Sequence, residues 1–355
     1  MTLEALGWTA HEAEAFRPFE ARGLRPARVA VGYGATFRIY LPEGESLADI
    51  SGRLRHDAIE RRDLPAVGDW VAVRWAPPDR ASIQAVLPRR SVFSRKAAGE
   101  GTTEQILAAN VDTAFLLTGL DQDFNLRRLE RYLVMSRESG ADPVVVLNKS
   151  DLADDLPRRL RDVEQIAAGV PVHAISSKLQ RGLDALDPYL GPGRTIALLG
   201  SSGVGKSTLI NRLVGHERQL TAEVRASDQR GRHTTTYREL VVLPGGALLI
   251  DTPGMRELQL WDASEGVAET FDDITRIAAG CRFKNCGHDS EPKCAVKAAV
   301  EAGELRPERL ASFHKLQAEQ AALEARRDVL ARQEEKKKMR TIHKAARHLP
   351  DKGRG

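Results

Sequence analysis

The run TIALLGSSGVGKSTLINRLVG, residues 195–215, restricts the possible folds of this chain more than any other feature. An apolar strand enters a glycine-rich turn, and a lysine with two hydroxyl residues opens a helix. That is the layout of a phosphate-cradling loop in a parallel α/β sheet. The candidate cradle is Gly200, Ser201, Ser202, Gly203, Val204, Gly205, Lys206, Ser207 and Thr208. Glycines let backbone N–H groups wrap phosphate oxygens, and the helix N-terminus adds a favourable dipole. Lys206 is placed to neutralise β- and γ-oxygens, and Ser207 to coordinate Mg²⁺. A glycine-rich turn before an ordinary helix is the plain alternative; the agreement of strand, glycines, lysine and serine is against it.

The surroundings match. VDTAFLLTG, NLRRLERYLVMSRESG, DPVVVLNKSD and PVHAISS alternate strand with helix, which predicts a doubly wound sheet with helices on both faces. Downstream, LLIDTPG places Asp251 at the end of an apolar strand, where an acidic residue can hold Mg²⁺ through a water. Gly254 falls where a backbone N–H can reach a γ-phosphate. Between cradle and strand lies RASDQRGRHTTTYREL, with the composition of a switch segment. A hydroxyl from Thr234 or Thr235 is a second candidate metal ligand, and the sequence does not choose between them.

Asn148-Lys149-Ser150-Asp151 follows the apolar strand DPVVVL. A carboxylate at Asp151 can accept from both the N1–H and N2–H₂ donors of guanine. Adenine lacks those donors and would leave the carboxylate unpaired in a closed site. Asn148 would brace the loop and Lys149 would cover the base plane. Ser176, Ser177 and Lys178, after the strand PVHAI, would clasp the base from the other side. The competing reading is a P-loop ATPase or kinase with an incidental RNA-binding tail; a scaffold with a regulatory nucleotide and no turnover is a third. The order NKSD, SSK, GSSGVGKST, HTTT, DTPG is a circular permutation of the usual GTPase order. A doubly wound sheet tolerates this because its termini can lie close together.

All three cysteines fall in Cys281-RFKN-Cys286-Gly-His288-DSEPK-Cys294. An odd, clustered set argues against disulfides and for a metal. Three thiols and an imidazole make a closed tetrahedral set for one structural Zn²⁺, with no position open for catalysis.

The expected domains are a leader over 1–27, an OB-like barrel over 28–93, a circularly permuted GTPase domain over 94–265, and a zinc-binding helical domain with a basic tail over 266–355. The barrel rests on short alternating runs such as RVAVGYG, TFRIYL and DWVAVRW. Its arginines make it a plausible nucleic-acid binder, against a purely structural barrel. Net charge is only +4 in 355 residues, yet Lys336, Lys337, Lys338, Arg340, Lys344 and Arg347 crowd the C-terminal end. Such residues would contact RNA phosphates without reading sequence. Leu316, Leu323 and Leu330 form a short packing stripe, too short for a coiled-coil dimer, so a monomer is expected. No apolar run is long enough to span a bilayer and the start does not resemble a signal peptide; a cytoplasmic protein with no membrane partner is expected.

The motif order, the GRHTTT switch, the barrel and the cysteine cluster resemble the RsgA (YjeQ/YloQ) family, circularly permuted GTPases of bacterial small-subunit maturation. The resemblance covers nearly the whole chain. It implies GTP hydrolysis stimulated by the small ribosomal subunit and its rRNA, followed by release of the factor. The zinc ligands match the family's pattern one for one. The position that carries a water-orienting glutamine in many GTPases is Met255 here. His233 is then the internal candidate to orient water, beside Thr234, Thr235, Asp251 and Gly254.

Overall fold

The computed structural model describes residues 1–76, 80–96, 104–215, 238–251 and 264–325. A helix, α1 (Ala10–Glu20), precedes five strands: β1 (Arg25–Tyr33), β2 (Thr36–Leu41), β3 (Gly44–Ile50), β4 (Trp70–Ala76) and β5 (Arg80–Val86). A short helix, α2 (Gly52–Asp57), joins β3 to β4. The strands pair in the order β1-β2-β3-β5-β4, and β4 returns to β1, closing a barrel. The β3–β5 pairing is parallel and the others are antiparallel. Alternate residues fill the inside, among them Val29, Phe37, Ile39, Val71, Val73 and Ile83.

The barrel strands run from Arg25 to Val86, and the leader is part of the fold. Leu6 and Phe16 are buried, and Trp8 packs edge-on against Trp70 of β4 with ring centroids 4.7 Å apart. A capping box starts α1: Thr9 accepts from the first turn while the Glu12 carboxylate accepts from Thr9 N at 2.9 Å.

A hairpin, β6 (Val92–Lys96) with β7 (Glu104–Ala109), leads to the second sheet. Its elements are β8 (Thr113–Gly119), α3 (Leu126–Ser139), β9 (Asp142–Asn148), α4 (Leu156–Ile166), β10 (Val172–Ala174), β11 (Thr195–Gly200), α5 (Lys206–Val214), β12 (Glu239–Val242) and β13 (Leu248–Asp251). The spatial order is β10-β9-β8-β11-β13-β12, with only the β12–β13 pair antiparallel. The chain therefore lays β9 and β10 on one side of β8, then crosses to build β11 and β13 on the other. Every residue of β8 is buried, with Ala114 and Leu116 on one face and Phe115 and Leu117 on the other. Helices cover both faces, as strands that are apolar on both sides require. Val31 of β1 also pairs with Glu239 of β12, which joins barrel and sheet edge to edge.

Helices α6 (Ser264–Thr270), α7 (Asp272–Ala278), α8 (Ala295–Glu301) and a helix over 307–325 form the C-terminal module. Phe271, Phe313 and Leu316 are buried in it and Leu323 packs half-buried against the same core. Leu330 lies outside the described residues.

The three arginines of β1 and β2 each have partners within the fold. Arg28 is fully buried, Arg38 pairs with Glu239, and Arg25 pairs with Glu43 at 2.6 Å. Only Arg28 is enclosed; the Arg25–Glu43 pair lies at the surface.

Candidate nucleotide site and metal cluster

The parallel strands β8, β9, β11 and β13 all point their carboxyl ends at one edge of the sheet. The chain reverses its building direction between β8 and β11, and crevices form at such switch points. Gly119, Asn148, Gly200 and Asp251 end those strands, so among the described residues the 148–151 and 200–208 segments meet at that edge. For Asp251 only the backbone position is described.

The 200–208 segment turns tightly from β11 into α5. Gly205 has φ +97°, and a Cβ there would lie 2.3 Å from Asn148 Nδ2, so only glycine fits. Ser202, Gly203, Ser207 and Thr208 are exposed, while Val204 is buried and anchors the loop. Lys206 Nζ folds over the loop and donates to Gly200 O and Ser201 O, both at 2.5 Å.

The 148–151 loop is bound to this one. Asn148 is buried, and its Nδ2 donates to Val204 O at 2.8 Å. Its Oδ1 accepts from Ser177 N and Ser177 Oγ, both at 3.0 Å. One amide thus fastens three segments together. Lys149 takes a left-handed φ of +62° and its ammonium pairs with Asp121. Asp151 is exposed, and Ser176 Oγ donates to its Oδ1 at 2.5 Å. That hydrogen bond holds the Asp151 carboxyl below its usual range, with Lys178 and Arg181 adding to the effect. Ser176 Oγ in turn accepts from Leu179 N at 3.1 Å, which fixes the 176–178 turn. Ser150 N donates to Ile175 O at 3.0 Å.

His233, Thr234, Thr235, Gly254 and Met255 lie outside the described residues, as do Lys336, Lys337, Lys338, Arg340, Lys344 and Arg347. Sequence reasoning missed three residues at the edge: Asp121, Asp123 and Arg128. Arg128 forms a two-pronged pair with Asp123, at 2.5 and 3.0 Å, and both touch Ser201 Oγ, at 2.7 and 2.8 Å. The signal was present in TGLDQDFN: two acids directly after a buried strand, at its carboxyl end.

In the C-terminal module, Cys281, Cys286, His288 and Cys294 bring four donor atoms within 4.8 Å of one another. Cys281 Sγ lies 3.6 Å from His288 Nδ1 and 3.9 Å from Cys294 Sγ, and Cys294 Sγ lies 3.5 Å from His288 Nδ1. A tetrahedral ion at ordinary metal–S and metal–N lengths would set such edges at about 3.8 Å and about 3.6 Å. The cluster can hold a metal ion. Desolvation lowers the His288 imidazole, favouring the neutral form that ligates, and His314 adds to the shift. The Cys286 thiol is pushed up to about 11 by desolvation and by its two thiol neighbours. A bound cation would relieve that crowding.

Relatives share this architecture. Residues 86–261 match the family model for the RsgA GTPase. A protein of Opitutus terrae named small ribosomal subunit biogenesis GTPase RsgA is 51% identical, over 98% of this chain and 97% of that one. One of the same name from Syntrophotalea carbinolica is 44% identical over 96% of each. The crystal structure of YjeQ from Thermotoga maritima superposes with a TM-score of 0.62 at 25% identity, covering 84% of this chain and 99% of that one. YloQ, described as a circularly permuted GTPase, gives 0.62 at 26%, covering 84% and 96%. The ATPase or kinase reading is set aside by these matches. The chain belongs to the RsgA GTPase family.

Proposed function

We propose that this GTPase binds GTP at the sheet edge, hydrolyses it on the small ribosomal subunit, and assists late maturation of that subunit and its own release. The observation that carries the nucleotide site is the Asn148–Val204 hydrogen bond at 2.8 Å, which locks the base-reading loop onto the phosphate cradle. Gly200, Ser201, Ser202, Gly203, Val204 and Gly205 present backbone amides to the phosphates, and Lys206 moves its ammonium onto the β- and γ-oxygens. Ser207 and Thr208 open α5 with exposed hydroxyls, and Ser207 would hold Mg²⁺, which supplies charge neutralisation between the phosphates. Asp151 accepts the guanine N1–H and N2–H₂ donors, Lys149 covers the base, and Ser150, Ser176, Ser177 and Lys178 shape its rim. Asp251 and one of Thr234 or Thr235 would help hold the metal, Gly254 would meet the γ-phosphate, and His233 would orient water.

The subunit and its rRNA come from the names of the relatives and from the basic C-terminal sequence. Zinc is the ion proposed for Cys281, Cys286, His288 and Cys294, because closed Cys₃His sets favour it. Among the described residues no helix is long and apolar enough to cross a membrane, and we place the protein, as a monomer, in the cytoplasm.

The test is phosphate release from GTP and from ATP, each with and without purified small subunits. Turnover should be specific to GTP, slow alone, and stimulated on the order of 10³-fold or more, as for other activated GTPases. GTP turnover indifferent to subunits would remove the ribosomal role.

A further inference from the structure

We propose that Arg128 is a positioning residue of the nucleotide site, fixing the entrance of the phosphate loop through Ser201. The inference rests on the reading of 200–208 as the phosphate cradle.

At the start of that loop, Ser201 Oγ is flanked by a guanidinium and a carboxylate. Arg128 Nη1 donates to it at 2.7 Å, and it donates to Asp123 Oδ2 at 2.8 Å. Arg128 also forks onto both oxygens of Asp123, so three groups close a ring. A planar fork that satisfies two carboxylate oxygens and a hydroxyl has little freedom left, and lysine cannot reproduce it.

Arg128 is itself held from two sides. Asn125 caps α3 by accepting from Arg128 N at 3.0 Å, so the arginine sits in the first turn. The rest of α3 is bolted to the C-terminal module. Arg131 pairs with both oxygens of Glu319 at 2.7 Å, and buried Glu130 accepts from Arg309 at 2.9 Å. Arg309 continues to Asp273 at 2.6 and 2.7 Å. The helix that presents Arg128 is thus a fixed reference, and Ser201 is registered against it. A phosphate nest gains affinity from amides already aimed at the ligand, and the residue that sets the first amide governs that aim.

The experiment uses the full chain and a fluorescent GTP analogue, comparing wild type with Arg128→Lys, Arg128→Met, Ser201→Ala, the Arg128→Met/Ser201→Ala double variant, and Lys206→Ala. Arg128→Met and Ser201→Ala should each raise the Kd about fivefold to tenfold, and the double variant should be no weaker than Arg128→Met alone, because coupled neighbours do not add. Arg128→Lys should recover part of the loss. The thermal midpoint of the nucleotide-free protein should move little. Unchanged affinity, or additive losses that follow a fall in that midpoint, would overturn the inference, since a merely structural arginine behaves so. If Arg128→Met does not fold, the Lys and Ala variants decide the same question. Failure of Lys206→Ala to lose affinity would overturn the cradle reading itself.

Discussion

Asn148 Nδ2 donates to Val204 O across 2.8 Å, joining two loops that stand 56 residues apart in sequence. Because the oxygen of the same amide accepts twice from Ser177, three of its four hydrogen-bonding positions are engaged, and a smaller group cannot replace it. Asn148→Ala would leave Val204 O and the Ser177 donors without this partner at a cost of about 2–4 kcal/mol. GTP affinity should fall at least tenfold. Gly205→Ala should be worse, since the new methyl would meet Asn148 Nδ2 at 2.3 Å with φ +97°. Equilibrium binding beside thermal melts separates loss of the site from loss of the fold; wild-type affinity in either variant would refute the arrangement.

Base choice should reside in Asp151. Asp151→Asn removes a bidentate acceptor and presents an NH₂ to the guanine donors, weakening GTP by about 30-fold or more. The same change suits xanthine, whose 2-position carries an acceptor, so competition with XTP should strengthen. Ser176 bears on the pH dependence. Its hydrogen bond holds the Asp151 carboxyl low, so the charged acceptor persists as pH falls below the ordinary carboxylate range. Ser176→Ala should raise that pKa and move the acid limb of GTP binding to higher pH. An unmoved limb would mean that another group sets it.

Much of the candidate site was legible because the chemistry expected of it is local. The 200–208 cradle and the 148–151 reader each carry their own strand before the loop, and a short pattern with the right flanks is enough. The cysteine cluster was legible because all three thiols crowd into one stretch of 14 residues, 281–294. Arg28 was not. In sequence it is one of several arginines in a β-rich run; it lies on the outer face of the barrel, and only the leader and the second sheet packing against that face bury it. The two acids after β8 stand in plain view in TGLDQDFN, but the joining of Asp123 to Arg128 and Ser201 does not, since that contact depends on how α3 leaves β8. Long-range pairing, not residue type, decides whether such charges face water.

Arg28 should matter most to stability. It is fully buried, and it donates to Leu6 O, Gly68 O at 3.3 Å, Asn110 O at 3.1 Å and Thr195 Oγ1 at 2.8 Å. Leader, barrel and the first residue of β11 thus share one guanidinium. Burial lowers its pKa to about 10, still well above neutral, so the group stays charged. Arg28→Met keeps the bulk and strips these acceptors of a donor, which should cost about 3 kcal/mol or more in urea unfolding. Arg28→Lys should lose less, keeping the charge but reaching fewer oxygens. A change within about 0.5 kcal/mol, as for an ordinary surface site, would show that leader and barrel are held by apolar contact alone.

The metal loop has its own internal template in Glu291. Its carboxylate accepts from Gly287 N at 2.6 Å, Asp289 N at 3.0 Å and Ser290 N at 3.1 Å, wrapping the turn that carries His288. Those amide bonds, the one from Gly287 foremost, hold the carboxyl down to about 2, so it is ionised at any pH where thiolates can ligate. His288 sits at φ +61°, a conformation the turn must enforce. Glu291→Ala removes the enforcement without touching a ligand. Supporting residues of this kind typically change metal affinity about 10- to 100-fold, and release to a chromophoric chelator should accelerate accordingly. Glu291→Gln keeps an acceptor and should fall between. Chelating the metal from the parent protein should expose Cys281, Cys286 and Cys294 to thiol reagents while leaving GTP affinity nearly intact, because the nucleotide loops are built on β8, β9 and β11. Release kinetics identical in all three proteins would show that the ligands alone hold the loop.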